Sequence, residues 1–236
     1  MFAFLFDRFV ASRREADALI EAGKVTINGQ QAVMGQKVEE KDEVEVVGKT
    51  KDKVYLAYYK GRGIITHSPA ANETDIMTKL QSSRLNLELE QLGLFPVGRL
   101  DKDSEGLILL TNDGRITGPL LDPAASHEKE YDVTVDKPVT TILINKLREG
   151  VNIEGYQTKP AKAEKHRTNP KRLSVTLTEG KKHQIRRMCA ALGYQVQSLK
   201  RVRIMNIELG KLKPNQYRKI EGAELKNHLT KLGLQK

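Results

Sequence analysis

The sequence has a single cysteine and no tryptophan, and aromatic residues make up only 5% of its 236 residues. One cysteine, Cys189, excludes an internal disulfide and is typical of a reducing compartment. No segment approaches the roughly 18 uncharged apolar residues that a membrane-spanning helix needs. The apolar residues 1–6 have no cationic start and run at once into Asp7 and Arg8, unlike a secretory signal. These absences predict a cytoplasmic protein.

Negative charge is scarce in the last third of the chain. Residues 156–236 carry 20 Lys and Arg against 5 Asp and Glu, whereas residues 1–53 carry 9 against 10 and residues 54–155 carry 11 against 15. A one-sided positive surface attracts polyphosphate backbones and makes binding depend on salt. The distribution therefore indicates a nucleic-acid partner, with a basic face that serves only solubility as the alternative.

The first fifty residues predict a small unit of helix and hairpin. Ser12 and Glu15 have the spacing of a capping box, in which each side chain satisfies a free backbone N–H at a helix start. Asn28 followed by Gly29 is the strongest short signal for a hairpin turn. We expect this module to span residues 1–48 and a linker to occupy residues 49–53.

Residues 54–236 have the pattern of a strand-rich α+β domain. Short apolar or alternating runs predict strands at residues 55–59, 107–110, 131–135, 173–177 and 205–209. Amphipathic spacing predicts helices at residues 139–148 and 182–192, each followed by a glycine. Cys189 lies on the apolar side of the second helix, so we expect it to pack in the core rather than react.

A polar loop at residues 98–106, between two apolar runs, is the most unusual segment. Loops anchored on buried strands can present charged side chains to a cleft. Asp101, Asp103 and Glu105 alternate there, as the oxygen ligands of a hard cation do, but Lys102 in their midst argues against a metal. The residues alone leave open a solvated turn, a metal site such as that of a nuclease, and a site of another kind.

Two further segments concentrate charged or aromatic side chains. Arg186 and Arg187, at the start of the second predicted helix, can reach a buried carboxylate or bind phosphates. His183, just before them, is expected to be a surface side chain rather than a catalytic base. Tyr131, within the charged residues 127–133, fits either an aromatic that stacks on a base or a core tyrosine with its hydroxyl at the rim.

Together these segments resemble a known family. Gly98-Arg-Leu-Asp-Lys-Asp-Ser-Glu-Gly-Leu107 is similar to the catalytic motif of RsuA-type pseudouridine synthases. Lys129-Glu-Tyr131, Gln184-Ile-Arg186 and Leu199-Lys-Arg201 match the family's other motifs in order. Within the family, residues 127–131 and 203–206 look most like the F-type enzymes, which act on large-subunit (23S) ribosomal RNA. The front unit, with Ser12-Arg-Arg-Glu-Ala-Asp17 and Gly23-Lys-Val-Thr-Ile-Asn-Gly29, looks like the S4 RNA-binding fold that commonly precedes that domain.

The resemblance implies a fold and a reaction. The fold is an S4-like module followed by residues 54–236 as a pseudouridine synthase domain, built on a mixed, largely antiparallel sheet with flanking helices. The reaction isomerises a specific uridine to pseudouridine in ribosomal RNA and needs no metal or organic cofactor. No obligate protein partner is implied, and a monomer is expected. A non-catalytic RNA-binding or ribosome-assembly factor on the same fold is the alternative.

The resemblance also implies roles for single residues. Asp101 is the catalytic carboxylate that engages the ribose of an extruded uridine. Tyr131 stacks on the base and is the candidate for proton transfer at C5, and Arg186 pairs with Asp101 and keeps it ionised. The substrate-binding residues are Arg99, Leu199, Lys200 and Arg201, and the RNA-binding residues of the S4-like module are Ser12, Arg13, Arg14 and Lys24.

The chain departs from the family pattern in two places. Residues 4–9 are apolar where the family has a polar first helix with a glycine before the serine, so we expect an incomplete first helix. Gly61 stands where the family usually has a proline after lysine. That position is expected to be structural, with no effect on activity.

Overall fold

The computed structural model describes residues 13–39, 42–46, 52–67, 73–81 and 92–234. Its first unit consists of helix α1 (Arg13–Glu21) and strands β1 (Val25–Ile27), β2 (Gln30–Gln31) and β3 (Val44–Val46), which form an antiparallel sheet in the order β2-β1-β3. The predicted hairpin is confirmed, because Asn28 and Gly29 have φ angles of 52° and 77° between β1 and β2. Ser12, residues 4–9 and most of the predicted linker lie outside the described residues.

The second unit alternates strands with helices along the chain. Its elements are β4 (Tyr55–Lys60), α2 (Ile76–Gln81), β5 (Phe95–Val97), β6 (Glu105–Thr111), a 3-10 helix (Gly114–Ile116), α3 (Thr117–Leu121), β7 (Lys129–Val135), α4 (Thr141–Glu149), β8 (Asn152–Ile153), β9 (Tyr156–Gln157), β10 (Lys162–Lys165), β11 (Arg172–Leu177), α5 (Gln184–Ala191), β12 (Val196–Ile204), β13 (Ile207–Glu208), β14 (Tyr217–Lys219) and α6 (Gly222–Lys231). Within the described residues, every helix is too short or too polar to traverse a lipid bilayer.

Nine of the described strands form one sheet in the order β10-β11-β7-β12-β6-β4-β14, with β5 beside β6 and β13 beside β12. The pair of β6 and β12 is parallel, and the other pairs are antiparallel. The sheet is therefore mixed and largely antiparallel with flanking helices, which confirms the predicted fold class.

The helices cover both faces of this sheet. On one face, α4 and α5 pack on β7, β11 and β12, and α2 packs on β4 and β6. On the other face, α3 and α6 pack on β4 and β6. Cys189 is buried in the first of these clusters, where burial raises the pKa of its thiol to about 12, so its predicted packing role is confirmed.

The strand predicted at residues 205–209 is partly wrong. Met205 has a φ angle of 52° and lies in the turn after β12, and only Ile207 and Glu208 form a strand. The nine-residue β12 itself escaped prediction because polar side chains such as Ser198 and Arg203 stand among its apolar ones. Its pairing with β6 and β7, rather than its own pattern, makes it a strand.

Buried His228 predicts a pH-dependent stability. The residue, on α6, is 1% exposed, and its Nδ1 lies 3.2 Å from the side-chain oxygen of Asn206. Burial, with a smaller contribution from His127, lowers the pKa of His228 to about 4. The unfolded chain therefore takes up this proton first, and the stability contribution of the neutral imidazole is lost as the pH falls from about 6.5 towards 4.

We expect wild type to lose about 2 kcal/mol more unfolding free energy than His228→Gln between pH 7 and pH 5. Denaturant unfolding at the two pH values measures this difference. Comparison of the two proteins removes the contribution of the carboxylates, because these titrate in both. Equal losses in the two proteins would show that His228 is not kept neutral by burial.

Candidate active site

Four residues on neighbouring strands lie side by side across one face of the sheet. Lys60 on β4 pairs with Gly106 on β6, Gly106 with Arg201 on β12, and Arg201 with Tyr131 on β7. Cross-strand partners point to the same side of a sheet, so the Lys60, Arg201 and Tyr131 side chains share this face. The segment that joins β5 to β6, residues 98–104, lies over this row, and we call it the aspartate loop.

The backbone of the aspartate loop is held from many directions. Each carbonyl of residues 99–103 accepts a hydrogen bond. The donors, in order, are Arg201 Nη1 to Arg99, Thr66 Oγ1 to Leu100, Ser104 N to Asp101, Gly63 N to Lys102 and Arg186 Nη2 to Asp103. A loop with its polar backbone satisfied in this way is ordered rather than a solvated turn.

Asp101 projects from this ordered loop with its side chain 40% exposed. Its Oδ1 lies 3.5 Å from Nε2 of His183. His183 precedes α5 with a left-handed φ angle of 52°, a conformation that is uncommon outside glycine. The side chain of His183 is 48% exposed, which confirms the predicted surface position, and it lies beside Asp101.

The Gln-Ile-Arg segment shapes the start of α5. Gln184 is buried, donates to Glu179 and accepts from the backbone N–H of Lys181, which fixes the turn before the helix. Arg186 then donates to the carbonyl oxygens of Val196 and Asp103, both at 3.0 Å. Arg186 therefore reaches the aspartate loop through its backbone, and it does not make the ion pair with Asp101 that the resemblance implied.

Two cations are buried beneath the loop. The ammonium of Lys60 donates to the carbonyl oxygens of Ile64 at 2.5 Å and Gly61 at 3.1 Å, and it lies 3.5 Å from that of Lys102. Burial lowers the pKa of Lys60 to about 8, although the carboxylates of Asp101 and Glu105 oppose this effect.

Arg201 is the second of these cations, and it is buried rather than open to a ligand. Its Nε donates to the carbonyl of Leu107 on β6 at 2.7 Å and its Nη1 to that of Arg99 at 3.4 Å, so one guanidinium joins the start of the loop to the strand that follows it. Its Nη2 is buried and has no hydrogen-bond partner among the described residues. The structure differs here from the predicted contact with substrate, because its bonds go to the protein backbone.

Some of the other predicted site residues lie beside the aspartate loop, and one lies on the opposite face of the sheet. Tyr131 and buried Leu199 lie on the face below the loop, and the side chain of Arg99 is exposed at its start. Lys200 lies on the opposite face, because successive strand residues alternate and it pairs with Glu105 and Asp132, and its substrate-binding role stays a prediction.

In the front unit, Arg13 and Arg14 open α1, and Lys24 is exposed between α1 and β1. Ser12 belongs to the residues that are not described. The RNA-binding role of this group stays a prediction.

Gly61 has a local explanation for its departure from the family pattern. Its N–H donates to the side-chain oxygen of Asn215 at 3.3 Å, a bond that proline has no hydrogen to make. A Cβ at position 61 would lie 2.9 Å from the same oxygen. Gly61 and Asn215 therefore fit each other.

Two residues that hold the aspartate loop, Lys60 and Thr66, were not identified from the sequence. Lys60 entered the sequence analysis only as the lysine before Gly61, with no role of its own, and Thr66 stands in a loop without a distinctive pattern. Among the described residues, no group of three or more His, Cys, Asp or Glu side chains is arranged to hold a metal ion.

The geometry suits chemistry by a single carboxylate. Asp101 is open to solvent on a rigid backbone, with a tyrosine on the sheet face below and cations behind the loop. A carboxylate placed in this way can attack an electrophilic carbon or remove a proton from a bound ligand.

Comparisons with known proteins identify the family and the fold. The family model described as RNA pseudouridylate synthase matches residues 54–191, and that of the S4 domain matches residues 3–44. A solved structure described as a pseudouridylate synthase aligns with a TM-score of 0.68 and 28% identity, over 98% of this chain and 97% of that one.

Two curated relatives cover almost the whole chain. The dual-specificity RNA pseudouridine synthase RluF of Escherichia coli (strain K12) is 39% identical over 228 residues, which are 94% of this chain and 75% of the relative. The ribosomal large subunit pseudouridine synthase B of Bacillus subtilis (strain 168) is 34% identical over 225 residues, 92% of this chain and 90% of the relative. As its motifs predicted, the chain belongs to the RNA pseudouridylate synthase family and begins with an S4 domain.

Proposed function

We propose that this chain converts a uridine of large-subunit (23S) ribosomal RNA to pseudouridine, with Asp101 as the catalytic carboxylate. The observation that carries the proposal is the carboxylate of Asp101, 40% exposed on a loop whose carbonyls at residues 99–103 each accept a hydrogen bond. The names of the two curated relatives, one of them a ribosomal large-subunit enzyme, support the RNA target.

The reaction is an isomerisation, so its atoms balance without a co-reactant. The bond between C1′ and N1 of the uridine breaks, the uracil turns, and C1′ bonds to C5. C5 gives up its proton and N1 gains one. Asp101 acts at the ribose, either by attacking C1′ or by removing the C2′ proton. Tyr131 stacks on the base and takes part in the transfer of the C5 proton.

The remaining predicted residues assist binding in this proposal. Arg99, exposed at the start of the aspartate loop, holds the extruded strand, and Leu199 supports the base from the sheet. The S4 domain adds a second, tethered contact with RNA, which raises affinity without taking part in the chemistry. The setting that we propose is the cytoplasm, with a monomeric enzyme.

Asp101→Asn is the direct test of the function, with Asp103→Asn as its matched control two residues away. We expect the Asp101 variant to lose on the order of 1000-fold or more in turnover on a large-subunit RNA fragment, because the acting carboxylate is gone. The Asp103 variant should stay near wild type, since that side chain is exposed. Chemical mapping of pseudouridine measures both.

If wild type forms no more product than Asp101→Asn, the chain is a non-catalytic RNA-binding factor. Strand cleavage that a chelator abolishes, with both aspartates required, would instead identify a metal-dependent nuclease.

Arg186→Met and Arg187→Met separate catalytic from general effects of the basic helix. Arg186 holds the aspartate loop at Asp103, whereas Arg187 bonds to Ile153 and Glu154 away from it. We expect Arg186→Met to lower kcat about 100-fold with RNA affinity within about twofold of wild type, because loop geometry changes while most phosphate contacts remain. Arg187→Met should retain kcat. If both variants lost RNA affinity equally and kept the wild-type kcat, Arg186 would be assigned to phosphate binding.

The RNA target is tested in cells that lack this protein. We expect a pseudouridine to be missing from large-subunit ribosomal RNA and to return with the wild-type gene but not with the Asp101→Asn gene. A missing modification only in small-subunit or transfer RNA would contradict the proposed target while leaving the activity intact.

A further inference from the structure

The backbone of Leu100, the residue directly before Asp101, is held by the hydroxyl of Thr66, which is distant in the sequence. Oγ1 of Thr66 donates to the carbonyl of Leu100 at 2.9 Å and accepts from the N–H of Leu100 at 3.0 Å. The two residues are 34 positions apart, and both are buried, Thr66 with 4% exposure and Leu100 with 8%. This double hydrogen bond fixes both sides of the Leu100 peptide backbone.

Thr66 is itself anchored to another part of the fold. Its neighbour Ile65 accepts a hydrogen bond from the N–H of Ile76, the first residue of α2, and donates one to the carbonyl of Thr74. The hydroxyl is thus a fixed reference point rather than part of the loop that it holds.

The backbone determines where the carboxylate of Asp101 points. The ion pair that the described residues offer to this side chain is the one with His183, at 3.5 Å, and both groups are nearly half exposed. Such a contact constrains the side chain little, because exposed pairs contribute weakly. The orientation of Leu100 therefore sets the direction in which the following residue leaves the loop.

We propose that Thr66 is a positioning residue that aims Asp101 by fixing the backbone of Leu100. This inference rests on the catalytic role of Asp101 in the proposed function. Arg201, which holds the carbonyls of Arg99 and Leu107, secures the loop on either side of the same point. A small displacement of an acting group, of about 1 Å, can cost about 100-fold in rate.

A series of three variants tests the role of the hydroxyl. Thr66→Val keeps the side-chain shape and removes both hydrogen bonds, whereas Thr66→Ser restores the hydroxyl. Thr158→Val is the matched control, because Thr158 is 2% exposed and its hydroxyl accepts from the N–H of Val151 at 2.9 Å, away from the loop. Single-turnover and steady-state pseudouridine formation, RNA affinity and thermal stability are measured for each.

We expect Thr66→Val to lower kcat about 10- to 100-fold with KM and RNA affinity within about twofold of wild type. Thr66→Ser should return kcat to within about threefold of wild type. Thr158→Val should keep the wild-type kcat although it loses stability, because it too leaves a buried backbone group, the N–H of Val151, without its hydrogen bond. Should Thr66→Val not fold, Thr66→Cys, with its weak S–H donor, carries the same expectation relative to Thr66→Ser.

A Thr66→Val enzyme with the kcat of Thr158→Val would overturn the inference. So would a loss that appears in RNA affinity rather than in kcat, or a Thr66→Ser enzyme as slow as Thr66→Val. Failure of the proposed function has a different signature, since wild type itself then forms no pseudouridine.

Discussion

The close approach of β6 and β12 at Gly106 is the constraint on which the site depends. A Cβ at Gly106 would lie 2.3 Å from the carbonyl oxygen of Arg201, and the φ angle of Gly106 is 108°, which only glycine adopts without strain. This parallel contact joins the part of the sheet formed by β4 and β14 to that formed by β7, β11 and β10. Tyr131 on β7 and Lys60 on β4, whose ammonium lies against the aspartate loop, thereby share one face of the sheet.

Buried cations usually pair with carboxylates, but the two cations beneath the aspartate loop do not. Lys60 and Arg201 are satisfied mainly by backbone carbonyls and not by carboxylates. Burying a cation is costly unless its donors are met, and here carbonyl oxygens meet most of them. Two loop carbonyls, those of Arg99 and Lys102, face these cations, while the side chains of Asp101 and Asp103 are open to solvent. The carboxylate of Asp101 stays accessible, with its side chain 40% exposed.

Sequence reasoning found the parts of the site that are concentrated in short segments. The aspartate loop, Tyr131 and the start of α5 are such segments, and their residue types carry the chemistry. The residues that hold the loop are dispersed, and a hydrogen bond from a side chain to a distant carbonyl leaves no periodicity or spacing to detect. Arg186 illustrates the limit, because the sequence indicated a cation near the loop but not that its partner is the carbonyl of Asp103 rather than a carboxylate.

The fit between Gly61 and Asn215 limits the substitutions that this chain can accept at the two positions. The two positions are 154 residues apart, yet the same asparagine oxygen meets the N–H of Gly61 and lies 3.3 Å from the hydroxyl of Tyr58. A proline at position 61 removes one of these contacts and crowds the other, so the two positions are not independent. Descendants of this sequence should exchange glycine and asparagine together, and a reconstruction of ancestral sequences that changes one of them alone would pass through a less stable protein.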